Sequence, residues 1–186
     1  MKYKAIVIGC SAGGFVALKE LLTPLRKDFS IPIIIVQHIS PHSDNYITTY
    51  LNEHCNLNVK EADQKEIIQK GNIYFAPPNF HLLIEENFFF SLTTEERINF
   101  ARPAINILFE TASYAYKDKL IGIILTGANN DGSKGMKAIK KQGGLTIVQN
   151  PETAEVDSMP LNAINATKID YILDLKQITE MLNALK

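Results

Sequence analysis

The chain is poor in the residues that define several large functional classes. Its 186 residues contain two cysteines, Cys10 and Cys55. That is too few for a disulfide framework, and neither belongs to a CxxC pair. The four histidines, His38, His42, His54 and His81, follow no ligand spacing such as HExxH, so no metal is expected. No apolar run approaches the roughly 20 residues of a membrane-spanning helix; the longest lies within IPIIIVQHIS. With no signal-like segment before the first strand-like run, the expectation is a cytoplasmic protein without membrane insertion. Charge excess is also missing: 19 Lys+Arg stand against 20 Asp+Glu, a formal net charge of -1. No bulk electrostatic attraction to nucleic acid or an anionic membrane follows, and any partner must be met by a local site. Repeats, linkers and low-complexity tracts are absent. The remaining composition, 46% hydrophobic and 21% charged, is that of a single globular domain.

The apolar pattern alternates between two kinds. Tyr3 to Ile8, Ile31 to Val36, Ile121 to Leu125 and Leu145 to Val148 are short continuous runs rich in β-branched residues, as in strands buried on both faces. Gly14 to Arg26, Ser43 to Glu53 with Ser43 as cap, Arg102 to Tyr116 with Pro103 in its first turn, and the segment ending near Gln142 at Gly143 and Gly144 read as helices. Asn58 to Ala62 reads as a further short strand. Asn72 to Ala76, His81 to Glu85 and Phe88 to Leu92 are brief strands, the last two forming a hairpin across Glu86 and Asn87. Asn150 to Pro160 reads as a loop, and Ile172 leads into a terminal helix ending near Leu185. Strands alternating with helices predict a doubly wound α/β fold: a mostly parallel sheet, helices on both faces, a small β-hairpin insertion, one domain.

In such folds the chemistry sits outside the carboxyl ends of the strands. Three sequences occupy those places. Gly9-Cys10-Ser11-Ala12-Gly13 satisfies GxSxG between a strand and a helix, a turn that presents a serine hydroxyl; Ser11 reads equally as a simple helix cap. The GxGxxG dinucleotide fingerprint fails, because its second glycine is Ser11. His38 directly follows the second buried strand, and Asp131 lies in the Gly-Asn turn after the Ile121 to Leu125 strand. Serine needs a base and the base an orienting carboxylate, and these three residue types stand on one sheet edge. N–H groups from Ala12 onward, at a helix start, suit an oxyanion. His81 reads as structural beside its Pro-Pro-Asn turn, and Phe88, Phe89 and Phe90 as hairpin core.

The blocks IVIGCSAGG, IIIVQHIS, YFAPPNFHLL, RPAINILFETAS and GIILTGANNDGSKGMKAIKKQGGLTIVQNPETAEVDSMPLNAI resemble, in order and over nearly the whole chain, the catalytic domain of chemotaxis protein-glutamate methylesterases. The resemblance implies a methylesterase catalytic domain over 1–186, without the receiver domain usual in the family. It implies hydrolysis of glutamate γ-methyl esters on chemoreceptors, with deamidation of selected glutamines. Ser11 would be nucleophile, His38 base and Asp131 its orienting residue, with oxyanion donors at Ala12 and Ala128. Arg102 and Met159 would border the site. No cofactor is implied. The partners implied are methylated chemoreceptor helices as substrate and a receiver domain or kinase in trans. The chain departs from the family in Ala128-Asn129, where Met-Gly is common, and in Ala12, where Thr is frequent. A phosphate or nucleotide binder using the Gly-rich turns as anion cradles, and a catalytically impaired interaction module of the same fold, are the competing readings.

A histidine acting as base must be neutral, so hydrolysis is expected to rise with pH as the imidazole gives up its proton. A flat pH–rate profile between about pH 5 and 8 is incompatible with that role.

Overall fold

The computed structural model describes residues 2–38, 45–98 and 101–185. Seven strands form one sheet in the order β3-β4-β2-β1-β7-β8-β9, with β1 at Ala5–Cys10, β2 at Ile33–Gln37, β3 at Asn58–Glu61, β4 at Asn72–Phe75, β7 at Leu120–Ile124, β8 at Leu145–Gln149 and β9 at Tyr171–Leu173. Every neighbouring pair is parallel. β5 (His81–Ile84) and β6 (Phe90–Thr93) form a separate antiparallel hairpin. Six helices complete the chain: α1 (Gly14–Leu22), α2 (Tyr46–His54), α3 (Ile105–Tyr116), α4 (Ser133–Lys141), α5 (Ser158–Ala166) and α6 (Leu175–Asn183). The doubly wound reading is borne out.

The two-sided burial explains the continuous apolar runs. Alternate side chains of β1 enter opposite cores: Ile6, Ile8 and Cys10 pack with Leu18, Leu21, Ile178 and Leu182 of α1 and α6, while Ala5 and Val7 pack with residues of α3, α4, α5 and the hairpin. Each large aliphatic side chain so buried contributes about 1.5–3 kcal/mol relative to exposure. The winding reverses at β1: the chain runs outward through β2 and beyond, then returns to lie on β1's other side as β7. The crevice at a reversal of strand order therefore opens at the carboxyl ends of β1 and β7.

Five boundaries differ from the sequence reading. Asn150 to Pro160 is not all loop, because α5 starts at Ser158 and carries Pro160 in its first turn. A proline there loses no helical hydrogen bond, since first-turn N–H groups have no intrahelical acceptor. Ile172 lies in edge strand β9 rather than leading a helix. α3 begins at Ile105, so Pro103 precedes it; the Ala104 N–H is taken by His81 Nδ1 at 3.1 Å. In the hairpin, Phe88 adopts φ 62 and β6 starts only at Phe90, as in a three-residue loop that closes with a left-handed residue. The expected helix from Ser43 is observed from Tyr46; its proposed cap, Ser43, lies outside the described residues.

β9 has only three residues, and Tyr171 and Ile172 are exposed. Its short ladder to β8 is reinforced by the residue before it. Asp170 Oδ2 accepts from the Thr146 N–H at 3.0 Å and hydroxyl at 2.9 Å, and Oδ1 pairs with Lys140 of α4. Burial alone would push this carboxyl up, but the Lys140 ammonium and the Thr146 donors outweigh it and hold the group below its usual range. Stability from such a group is present above the unfolded value and lost as pH falls through the folded one. Asp170→Asn is thus expected to cost about 1–2 kcal/mol at neutral pH. In paired thermal melts the gap between variant and wild type should close on acidification below about pH 4.

Candidate active site

Ser11 and His38 follow the last paired residues of adjacent parallel strands, Cys10 and Gln37. Such strands lie about 4.8 Å apart, and the His38 N–H donates to Cys10 O at 3.1 Å. On the other flank the Ser11 N–H donates to Thr126 O at 3.0 Å. The serine thus stands between the chain segments that leave β2 and β7. Its turn closes with Gly14 N–H donating to Ser11 O at 2.8 Å. Gly13 has φ 75, and a Cβ there would meet the Glu155 side chain at 2.7 Å, so both conformation and space require glycine.

The turn is tied to its surroundings by one hydroxyl. Thr126 Oγ1 donates to Ala12 O at 2.9 Å and accepts from the Val156 N–H at 2.9 Å. The Gly127 N–H donates to Val156 O at 3.0 Å, and the Met159 N–H to Gly127 O at 2.8 Å. The serine turn, the β7–α4 loop and the segment before α5 are therefore one hydrogen-bonded unit. Ala12 and Ala128 are exposed, and among the described residues their N–H groups have no hydrogen-bond partner. They remain available to a ligand oxygen.

Asp131 is wholly buried. Its Oδ2 accepts from His38 Nε2 at 2.8 Å and from the Ile105 N–H at 2.7 Å; its Oδ1 accepts from the N–H groups of Asn106 at 2.9 Å and Gly132 at 3.0 Å. Two of these donors belong to the first turn of α3, where the aligned peptide dipoles favour negative charge. The favour is returned: Asn106 Oδ1 accepts from Gly132 and Gly135 at the start of α4, at 3.0 and 2.9 Å. Gly132 itself has φ 95 and caps α4. Two helices from different parts of the chain thus cap each other through the loop that carries Asp131.

The structure brings Ser11, His38, Asp131, Ala12 and Ala128 to one sheet edge, while the two border candidates are differently engaged. Arg102 Nη1 donates to the carbonyls of Thr94 at 2.6 Å and Glu95 at 3.0 Å, anchoring the approach to α3. Met159 is fully buried, and its side chain closes against Gly127. It seats the loop from beneath rather than lining an open surface. His81 is buried between Glu96 O at 3.0 Å and the Ala104 N–H, the structural role its position suggested. Among the described residues no group of three or more His, Cys, Asp or Glu is arranged to hold a metal.

Sequence reasoning missed Thr126, Asn106 and Asn129. Asn129 Oδ1 accepts the Asp131 N–H at 3.0 Å, and its Nδ2 lies 3.3 Å from His38 Nδ1. The local signal for it was an Asn two residues before Asp131, the spacing of an Asx turn.

Asp131→Ala strips two first-turn donors of α3 and the histidine of their acceptor. It is expected to lower stability by about 1–3 kcal/mol. Ser11→Ala removes a hydroxyl with no hydrogen-bond partner among the described residues and should leave the denaturant midpoint of the wild type unchanged.

A model of the CheB methylesterase family matches residues 6–182. A putative protein-glutamate methylesterase/protein-glutamine glutaminase of Leptospira interrogans is 55% identical over 97% of this chain and 94% of its own length. A protein-glutamate methylesterase/protein-glutamine glutaminase of Thermotoga maritima is 37% identical over 96% of this chain, which spans 53% of that relative. The crystal structure of the Thermotoga maritima CheB methylesterase catalytic domain superposes with a TM-score of 0.94 at 37% identity, over 99% of both chains. On the family match, the identity and the shared architecture together, this chain belongs to the CheB methylesterase family.

Proposed function

We propose that this chain hydrolyses glutamate γ-methyl esters on chemoreceptor proteins, and deamidates selected glutamines by the same route, with Ser11 as nucleophile, His38 as base and Asp131 as its orienting residue. The observation that carries the reading is the buried Asp131 carboxylate bonded to His38 Nε2 at 2.8 Å, on the sheet edge where the Ser11 hydroxyl has no hydrogen-bond partner among the described residues. Asp131 can only accept from Nε2, which leaves Nδ1 as the nitrogen that takes a proton.

Ser11 Oγ attacks the ester carbonyl carbon while its proton passes to His38 Nδ1. The oxyanion is held by the N–H groups of Ala12 and Ala128, each donor worth roughly 3 kcal/mol in the transition state. The imidazolium returns its proton to the methoxy oxygen, and methanol leaves. Water, deprotonated by the same imidazole, then attacks the acyl carbonyl; the imidazolium gives the proton to Ser11 Oγ as the acyl–oxygen bond breaks, and the glutamic acid released ionises in water. With a glutamine side chain the leaving group is ammonia.

The relatives' names, protein-glutamate methylesterase/protein-glutamine glutaminase, support both halves of this activity. Residues 1–186 act as one catalytic domain in the cytoplasm, on methylated chemoreceptor helices, under control of a receiver domain or kinase in trans. No helix among the described residues is long and apolar enough to cross a membrane. The reaction needs no cofactor.

The test is methanol release from a receptor fragment methylated on glutamate. Wild type should release methanol, and Ser11→Ala should slow release by at least about a thousandfold. Wild type that reacts with a fluorophosphonate at Ser11 but releases no methanol would be a hydrolase of another ester. Wild type that does neither would be an interaction module.

A further inference from the structure

The hydrogen bonds around His38 assign its tautomer twice. The Asp131 N–H can only donate, so the Asn129 atom it meets at 3.0 Å is the amide oxygen. That turns the Asn129 NH2 toward His38 Nδ1, 3.3 Å away. An amide NH2 can only donate, so Nδ1 accepts and the ring hydrogen sits on Nε2. The Asp131 carboxylate, an acceptor at 2.8 Å from Nε2, requires the same tautomer.

A neutral imidazole has one lone pair in the ring plane, and in this structure the Asn129 amide faces it. The Ser11 hydroxyl must donate to that same lone pair to become a nucleophile, and it has no hydrogen-bond partner among the described residues. The amide and the hydroxyl compete for one acceptor. The amide's contact is at the long end of hydrogen-bond distances, so a better-placed donor can displace it. His38 cannot swing away to evade the competition, because its other nitrogen is fixed on a buried carboxylate.

We propose that Asn129 is a latch on the catalytic base: its side-chain amide occupies His38 Nδ1 in the resting enzyme and cedes it to Ser11 when substrate enters. Asn129 gives and takes no proton; it is a positioning residue that sets how often the base is available. The inference rests on the serine-nucleophile reading above and deepens it by naming what restrains that nucleophile.

Two substitutions separate the latch from simple support of the loop. Asn129→Ala removes both amide contacts. Asn129→Ser keeps an oxygen for the Asp131 N–H but is too short to reach the ring. Both should label faster with a fluorophosphonate at Ser11, by about three- to tenfold, the range for releasing one ordinary hydrogen bond. In 15N spectra of the histidine rings, the His38 Nδ1 resonance should move toward that of an unbonded imidazole nitrogen while Nε2 keeps its hydrogen. Asn129→Ser should melt with the wild type. Unchanged or slower labelling in folded Asn129→Ser, or an Nδ1 resonance that does not move, overturns the latch while leaving the serine reading intact. Failure of every form to label, wild type included, overturns the serine reading and the latch with it.

Discussion

The arrangement depends on one buried carboxylate. Asp131 is inaccessible to solvent, and a buried charge is tolerated only where donors surround it. Here the donors are the first two N–H groups of α3, the N–H of Gly132 and the imidazole of His38. Satisfying the charge therefore fixes three things together: where α3 begins, how the loop after β7 turns into α4, and which way the histidine ring faces. The α3 side chain Asn106 reciprocates by capping α4, so neither helix can shift without unsatisfying the other.

That constraint is built on a rigid frame. β1, β2 and β7 are buried along their whole lengths, so their carboxyl ends are held by both cores. The functional groups lie one residue or one short loop beyond. Thr126 extends the frame into those loops by joining the Ala12 carbonyl to Val156, and buried Met159 supports Gly127 from below. The Ser11 turn is held at its backbone while its hydroxyl stays free of hydrogen bonds among the described residues.

Much of the architecture was legible because parallel strands buried on both faces appear as uninterrupted β-branched runs, and those runs point directly to the residues that follow them. Ser11, His38 and Asp131 were found in that way. The misreadings fell where burial is one-sided or absent. β9 is short and exposed, with no periodicity to read, and depends on Asp170 contacts with residues of α4 and β8. The start of α5 was hidden by Pro160, whose tolerance in a first turn depends on the helix register. What Arg102 and Met159 touch, the carbonyls of Thr94 and Glu95 and the underside of Gly127, is set by side-chain direction, which block order does not carry.

The sequence by itself determined the order of strands and helices as far as β8 and the residue types that follow the buried strands, because hydrophobic period and turn chemistry are local properties. Only the tertiary structure decided how those residues bond. The carboxylate of Asp131 meets His38 across 93 positions and α3 across 26, and no local pattern encodes either contact. The tautomer of His38 and the facing amide of Asn129 are further removed still. They follow from which groups can only donate and which can only accept once the fold has set them side by side, a condition that exists only in the folded chain.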